Sequence, residues 1–368
     1  MSSPATLPEP FGVLELYRPK NSVPEVDIVA VHGLNGHRLR TWTTQSEPSI
    51  CWLNHPDFLP RYLPQARVLT LGYNANISSL GSKIAGSERL LQHAQTLIAQ
   101  LTADRELDNA SDRPIIFVCH SLGGIVVKKA LVYSASQASS QTAHLGSIYT
   151  CTYAIIFLGT PHHGSSKARI LHALTNLASL AIPSAAVSLS ATLLRTLELE
   201  SEVLQDVTAA WVPIMSPFRI FFFWEQHKTD LKYKRDYIVD EMSAAPMVDN
   251  TERCGIAADH REMCRFASSD DPGFQTVVEA LKRYARQAPA MVMERCRKAR
   301  EDQSDDKGNR QADELRGQSV FSGLLMAPSR ETAIGTLQLP EPLSQETSVE
   351  GSRRRKSLVI RPQWQAEE

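Results

Sequence analysis

The chain has 368 residues, a net charge of −1 and 42% hydrophobic residues. That length accommodates two average domains, or one α/β domain of roughly 250–290 residues with a tail. Near-neutral charge excludes a global pull toward nucleic acid or anionic membrane, so no nucleic-acid partner is expected. The six cysteines (Cys51, Cys119, Cys151, Cys254, Cys264, Cys296) form no Cys-x-x-Cys pair. They read as reduced thiols of an intracellular protein, neither a disulfide framework nor a zinc site. Met1–Pro10 has no basic region followed by an apolar one, so no secretory signal is expected. No apolar run is long enough to span a bilayer, which leaves only peripheral membrane contact.

In chain order, residues 1–12 are proline-rich and expected to be flexible, and one α/β domain is expected over 13–290. Val13–Tyr17 alternates like an edge strand. Val26–Val31 is a near-continuous apolar run, as in a strand buried on both faces of a parallel sheet. It ends in the glycine-bearing turn His32–Gly36. Arg67–Tyr73 reads as a strand, and Ser82–Thr102 carries apolar residues at helical spacing. Ile115–Val118 runs as a strand into Cys119-His120-Ser121-Leu122-Gly123-Gly124, followed by a helical run from Ile125 to Tyr133. Tyr153–Leu158 is a further strand, ending in Gly159–Gly164. Residues 166–213 hold two or three helical stretches, either packing helices or a cap over the substrate. Ile220–Trp224 is a Phe-rich strand, Cys254–Ala257 a short last strand, and Gly273–Ala288 an amphipathic closing helix. From 296 to 368 the composition is polar and charged, and a mostly disordered tail is expected. Its Arg353–Lys356 cluster reads as a solvated run, and partners of this tail are not legible. Strands alternating with helices predict a mostly parallel central sheet flanked by helices.

A strand, a tight turn bearing serine and a helix is the setting that lifts a nucleophile above a sheet. The turn demands small neighbours; Cys119 stands where glycine is usual. In such a sheet the partners follow in the order serine, acid, histidine. Glu225, at the end of Ile220–Trp224, is the candidate acid. Asp240 is its rival, ranked second because the residues after it look like a helix start. His260 follows the last strand and is the candidate base for Ser121. Asp259 is poorly placed to support it from behind. For the oxyanion, the backbone N–H of Leu122 is one expected donor and that of Leu34, in the glycine turn, the other. His32, Gly33, His120 and His162 are expected around the pocket, with His163 beside His162; His32 reads as an organiser of its turn. No metal or cofactor is implied.

These blocks, with Thr41-Trp42, Trp52-Leu53, Gly72-Tyr73-Asn74-Ala75 and Asp259–Phe266, resemble the serine-active-site-containing protein family. Its members are lipase-like α/β-hydrolases related to GPI inositol-deacylases and common in fungi. The resemblance covers about residues 13–285. It implies an α/β-hydrolase fold, a Ser121–Glu225–His260 triad, lipid-ester substrates, and mitochondrial or endoplasmic-reticulum membrane association as in some members. The family's strand-end acid survives as Glu225 in Phe223-Trp224-Glu225-Gln226. The expected activity is therefore serine-esterase hydrolysis of lipid or acyl esters. Two alternatives stand beside it: a catalytically silent signalling or scaffolding module, and an acyltransferase using the same three residues.

Overall fold

The apolar runs become strands of one sheet in a computed structural model that describes residues 11–75, 86–137, 141–162, 167–181, 191–231 and 234–324. The chain divides into two compact units, Met1–Gly308 and Asn309–Glu368. Everything below concerns the first unit; in the second, Asn309–Leu324 is helix.

The elements, in order, are β1 (Gly12–Tyr17), β2 (Val26–Val31), α1 (Leu59–Tyr62), β3 (Ala66–Gly72), α2 (Gly86–Leu107) and β4 (Ile115–His120). Then come α3 (Gly123–Ala135), α4 (Ala143–Cys151), β5 (Thr152–Leu158), α5 (Lys167–Ala181), α6 (Ala191–Trp211) and β6 (Arg219–Glu225). The chain continues through β7 (Thr229–Leu231), β8 (Lys234–Asp236), α7 (Glu241–Ala244), β9 (Thr251–Ile256) and α8 (Pro272–Leu324). Seven strands form a sheet in the order β1-β3-β2-β4-β5-β6-β9. Only β1 runs antiparallel to its neighbour; every other pairing is parallel. This is the α/β-hydrolase fold.

The strand sequences explain their positions. β2, β3, β4 and β5 are buried along their whole length, because helices cover both faces of a parallel sheet. β1 is half-exposed and sits at the edge, as its alternation predicts. The order reverses between β2 and β4: β3 lies on one side and β5 on the other. A crevice forms at such a switch point, outside the carboxyl ends of the strands. Ser121 follows β4 and Gly33 follows β2, so both lie at its mouth.

Apart from the single-turn helix α1, three features differ from the sequence reading. The nine-residue helix α4 and the small β7–β8 hairpin were not expected. Both are short and carry weak periodicity; the hairpin strands are three residues each, and β8 is largely exposed. More consequentially, α8 does not stop at Ala288. It runs to Leu324 through the first part of the stretch expected to lack structure, while residues 325–368 lie outside the described residues. Two causes are visible. Phe274, Val277, Leu281, Tyr284, Ala288, Val292 and Cys296 keep a helical stripe in the main core past the expected end. Beyond it, Arg297 pairs with Glu294 at 2.7 Å and with Glu301 one turn on. Charge density that reads as disorder becomes helix when opposite signs fall three and four residues apart.

Trp52 ties the loops that border the crevice. Its Nε1–H donates to Cys264 O at 2.9 Å, and its ring meets Phe266 and Phe274 edge-on. Truncating such a fully buried aromatic typically costs about 3–5 kcal/mol.

Candidate active site

β4 delivers Ser121 in a strained turn. Its φ of 54° is the left-handed region, which a non-glycine residue enters at a cost. Three hydrogen bonds hold it there: Ser121 N–H to Leu158 O (2.9 Å), Thr160 Oγ to Ser121 O (2.9 Å) and Gly124 N–H to Ser121 O (3.1 Å). Gly33 meets the serine from β2. A Cβ at that position would stand 2.6 Å from Ser121 Cβ and 2.9 Å from His120 O, so only glycine lets the two turns touch.

His260 follows β9 and Glu225 ends β6. His260 Nδ1 lies 3.4 Å from Glu225 Oε1, with the side chains only 2% and 0% exposed. The separation suits an ion pair, although the ring N–H is not aligned for a hydrogen bond. The carboxylate is held from two other sides: Val239 N–H donates to Oε1 at 2.7 Å and Thr229 Oγ to Oε2 at 3.4 Å. Thr229 Oγ also accepts from His260 N–H at 3.2 Å, so one hydroxyl positions both members of the pair. Gly159, with φ 58°, passes under the imidazole; a Cβ there would come within 3.0 Å of the ring.

Asp240, the rival acid, is occupied elsewhere. It caps α7, its carboxylate accepting from Ser243 N–H at 3.1 Å. His120 packs its ring 5.0 Å from that of His260 and donates Nε2–H to His260 O at 2.8 Å. Burial lowers its pKa to about 3, so it stays neutral and acts as a strut.

Ser121, His120 and His260 line one cavity of about 660 Å³ together with Leu34, Leu177, Leu180 and a polar wall. Among the described residues this lining contains Arg40, Arg261 and Arg265 and no carboxylate. His37 belongs to the wall too. Its Nδ1 accepts from Leu39 N–H and Arg40 N–H, which leaves the proton on Nε2. The N–H groups of Leu34 and Leu122 have no acceptor among the described residues, whereas Asn35 N–H next to them bonds Ala75 O at 2.8 Å. Ser121 Oγ and His260 Nε2 are buried and likewise lack a partner.

Three expected pocket residues lie elsewhere. His162 is in the core, its ring edge-on to Phe157 and Phe222 at 4.5 and 4.6 Å, and burial drives its pKa well down. Its place after a fully buried strand carries it behind the crevice. His32 stacks on Tyr73 at 4.5 Å and bonds Gly33 O through Nδ1, organising its turn from below. Burial lowers its pKa to about 4. Gly33 stands against the serine and outside the cavity wall. His163 lies outside the described residues. Sequence reasoning missed Thr229, Thr160 and the strut role of His120. A threonine four residues beyond the strand-end acid is the one signal that was available.

Residues 27–208 match the family described as "Putative serine esterase (DUF676)". The match takes in Ser121 and ends before Glu225 and His260. The chain is also similar to Protein SERAC1 of Bos taurus, 27% identical over 183 residues, which are 44% of this chain and 26% of that protein. Protein SERAC1 of Danio rerio is 29% identical over 163 residues, covering 39% of this chain and 23% of that protein. The chain thus spans about a quarter of the length of the curated relatives it matches. Among solved structures it is similar to Bacillus licheniformis lipase BlEst2, with 19% identity and a TM-score of 0.47 over 73% of this chain and 99% of that one. The serine-esterase family match over residues 27–208 and the similarity to Protein SERAC1 agree with the resemblance read from the sequence, at the level of an esterase-like serine hydrolase.

Proposed function

We propose that the protein hydrolyses carboxylic esters of lipids or other acyl compounds through an acyl-enzyme on Ser121. Ser121 Oγ attacks the ester carbonyl as His260 Nε2 takes its proton, and the same nitrogen returns that proton to the departing alkoxide. Water, activated in turn by His260, then releases the acid. Glu225 fixes the imidazole tautomer and stabilises its cation. Leu34 and Leu122 N–H donate to the oxyanion, each contributing about 2.7–4 kcal/mol. The observation that carries this reading is the pairing of a left-handed, buried Ser121 with a buried His260–Glu225 pair at one cavity. No hydrogen bond joins Ser121 Oγ and His260 Nε2, which is usual without substrate, and such contacts tighten in the reactive complex.

Leu177 and Leu180 offer an apolar side for an acyl chain, and Arg40 and Arg261 favour an ester that carries negative charge, Arg265 being paired with Glu262 at 2.7 Å. Hydrolysis is preferred over a silent scaffold because all three positions are occupied and desolvated. Transfer to another alcohol uses the same acyl-enzyme, and product analysis with a competing alcohol separates the two. No helix among the described residues is long and apolar enough to cross a membrane, so contact through them would be peripheral.

The test is release of p-nitrophenol from short acyl esters. Turnover by the native chain that falls at least about 10³-fold in His260→Ala supports the reading. Folded protein without turnover on neutral and anionic esters alike contradicts it. Preference for a succinyl over an uncharged butyryl ester tests the charged wall.

A further inference from the structure

We infer that Cys151 and Cys296 form a thiol-modification site: a dithiol that a hydroperoxide converts to a disulfide, stapling α8 to the start of β5. The proposal is independent of the esterase reading, because the pair lies at the opposite end of the sheet from Ser121.

The geometry is specific. Both cysteines are free, and their sulfurs lie 3.8 Å apart although 145 residues separate them in the chain. A disulfide needs about 2.05 Å, so closing the gap takes about 1.8 Å, which side-chain rotation within packed elements can supply. The other four cysteines have no such neighbour among the described residues. Arg295, one residue before Cys296, holds the helix in register: it donates to Thr152 O and to Pro217 O, both at 2.7 Å.

The pair is also reachable and electronically unequal. A cavity of about 210 Å³, bordered by Asp112, Ser134, Gly146, Tyr149 and Arg300, is lined by both cysteines. That space is large enough for a small hydroperoxide. Cys151 S–H has two acceptors in reach, Ser111 O at 3.1 Å and the Cys296 sulfur. Directed at Cys296, it favours the Cys296 thiolate, whose pKa is lowered, and raises its own. Arg300 favours that thiolate as well, while Asp112 opposes it. Cys296 is also the more accessible of the two, 6% exposed against 0% for Cys151, which makes it the attacking sulfur and Cys151 the resolving one.

The chemistry balances. The Cys296 thiolate attacks one oxygen of ROOH; the O–O bond breaks, ROH leaves, and Cys296 becomes a sulfenic acid. Cys151 sulfur attacks the sulfenic sulfur; the S–O bond breaks and hydroxide departs with the thiol proton as water. Two thiols and one hydroperoxide give one disulfide, ROH and water, with two electrons passing to the peroxide. The closed loop holds Glu225 and His260, and crosslinks closing long loops restrict the unfolded chain most.

The full chain is treated, folded, with hydrogen peroxide, and intact mass and disulfide peptide mapping are read. The expected result is a loss of 2 Da, a Cys151–Cys296 crosslinked peptide, and a rise in Tm of at least about 5 °C reversed by dithiothreitol. Cys296→Ser should remove the mass change and the Tm rise. Cys151→Ser should instead leave a sulfenic acid trappable by dimedone on Cys296. Overoxidation of Cys296 with Cys151 still a thiol, a crosslink between other cysteines, or six unmodified thiols after treatment would each overturn the proposal. Mapping on the native chain decides the matter even if a serine variant does not fold.

Discussion

The two ends of the central sheet treat buried polar groups in opposite ways. At the amino ends of the strands, Asp27 is fully buried and ringed by cations. Arg67 bonds it at 2.8 and 3.1 Å, Arg113 at 3.1 Å, and Arg105 closes on its second oxygen. At the carboxyl ends, Ser121 Oγ and His260 Nε2 are equally buried and have no partner among the described residues. A buried polar atom left unpaired costs about 1–3 kcal/mol; at the amino end the Asp27 carboxylate is saturated and only Arg105 Nε of its cations is left over, whereas at the crevice the two reactive atoms themselves are unpaired. A saturated buried carboxylate marks the end that stabilises; an unpaired hydroxyl and an unpaired imidazole nitrogen mark the end awaiting a ligand.

The sharpest break of this contrast is Ser121→Ala. Turnover should fall at least about 10⁴-fold while stability holds or rises by up to about 1 kcal/mol, because the unpaired buried hydroxyl leaves while the left-handed backbone stays as it was. Esterase assay beside urea unfolding reads both. Asp27→Ala should do the reverse. Stranding three arginines should cost about 3–5 kcal/mol, with activity lost only in proportion to unfolded protein.

The buried histidines sharpen the contrast through pH. His32 and His120 are lowered from 6.5 to about 4 and about 3 by burial, so the folded state resists taking up their protons. Their contribution is whole above pH 6.5 and is lost as pH falls toward 3, where the unfolded chain binds protons the folded one does not. Each should cost about 2 kcal/mol at pH 5 relative to pH 7. Equal urea midpoints at the two pH values would contradict this.

Thr229→Val should reduce kcat about 10-fold with a stability loss near 1 kcal/mol, since it frees Glu225 Oε2 and His260 N–H without opening a cavity. The smallest effect belongs to Lys128, buried on α3 with its pKa lowered by burial to about 7. Its ammonium lies 5.6 Å from the Phe157 ring, a contact worth at most about 2 kcal/mol against a desolvation penalty of several. Lys128→Met should leave the urea midpoint at pH 7 unchanged or slightly raised.

What the sequence discloses depends on how locally each feature is encoded. The turn at Ser121 is written in consecutive residues, apolar strand into glycine-bearing turn into helix. Chain order alone points to Glu225 and His260, and the structure places their side chains 3.4 Å apart. The props are not local. His120 reaches a carbonyl 140 residues away and Thr160 one 39 residues away, and no spacing announces such bonds. His162 shows the limit of arguing from position: a strand-end residue can turn inward, and two phenylalanine rings hold it there. In α8, composition hides what pairing builds, since the same charges that suggest a tail stitch successive turns together.

The most direct test of the account is covalent labelling of the native chain with a fluorophosphonate, followed by mapping of the adduct. The account predicts one phosphonate, on Ser121 Oγ, formed quickly by the native protein and at least about 10²-fold more slowly in Glu225→Gln. Folded protein that stays unlabelled, or carries the adduct on another residue, would contradict it.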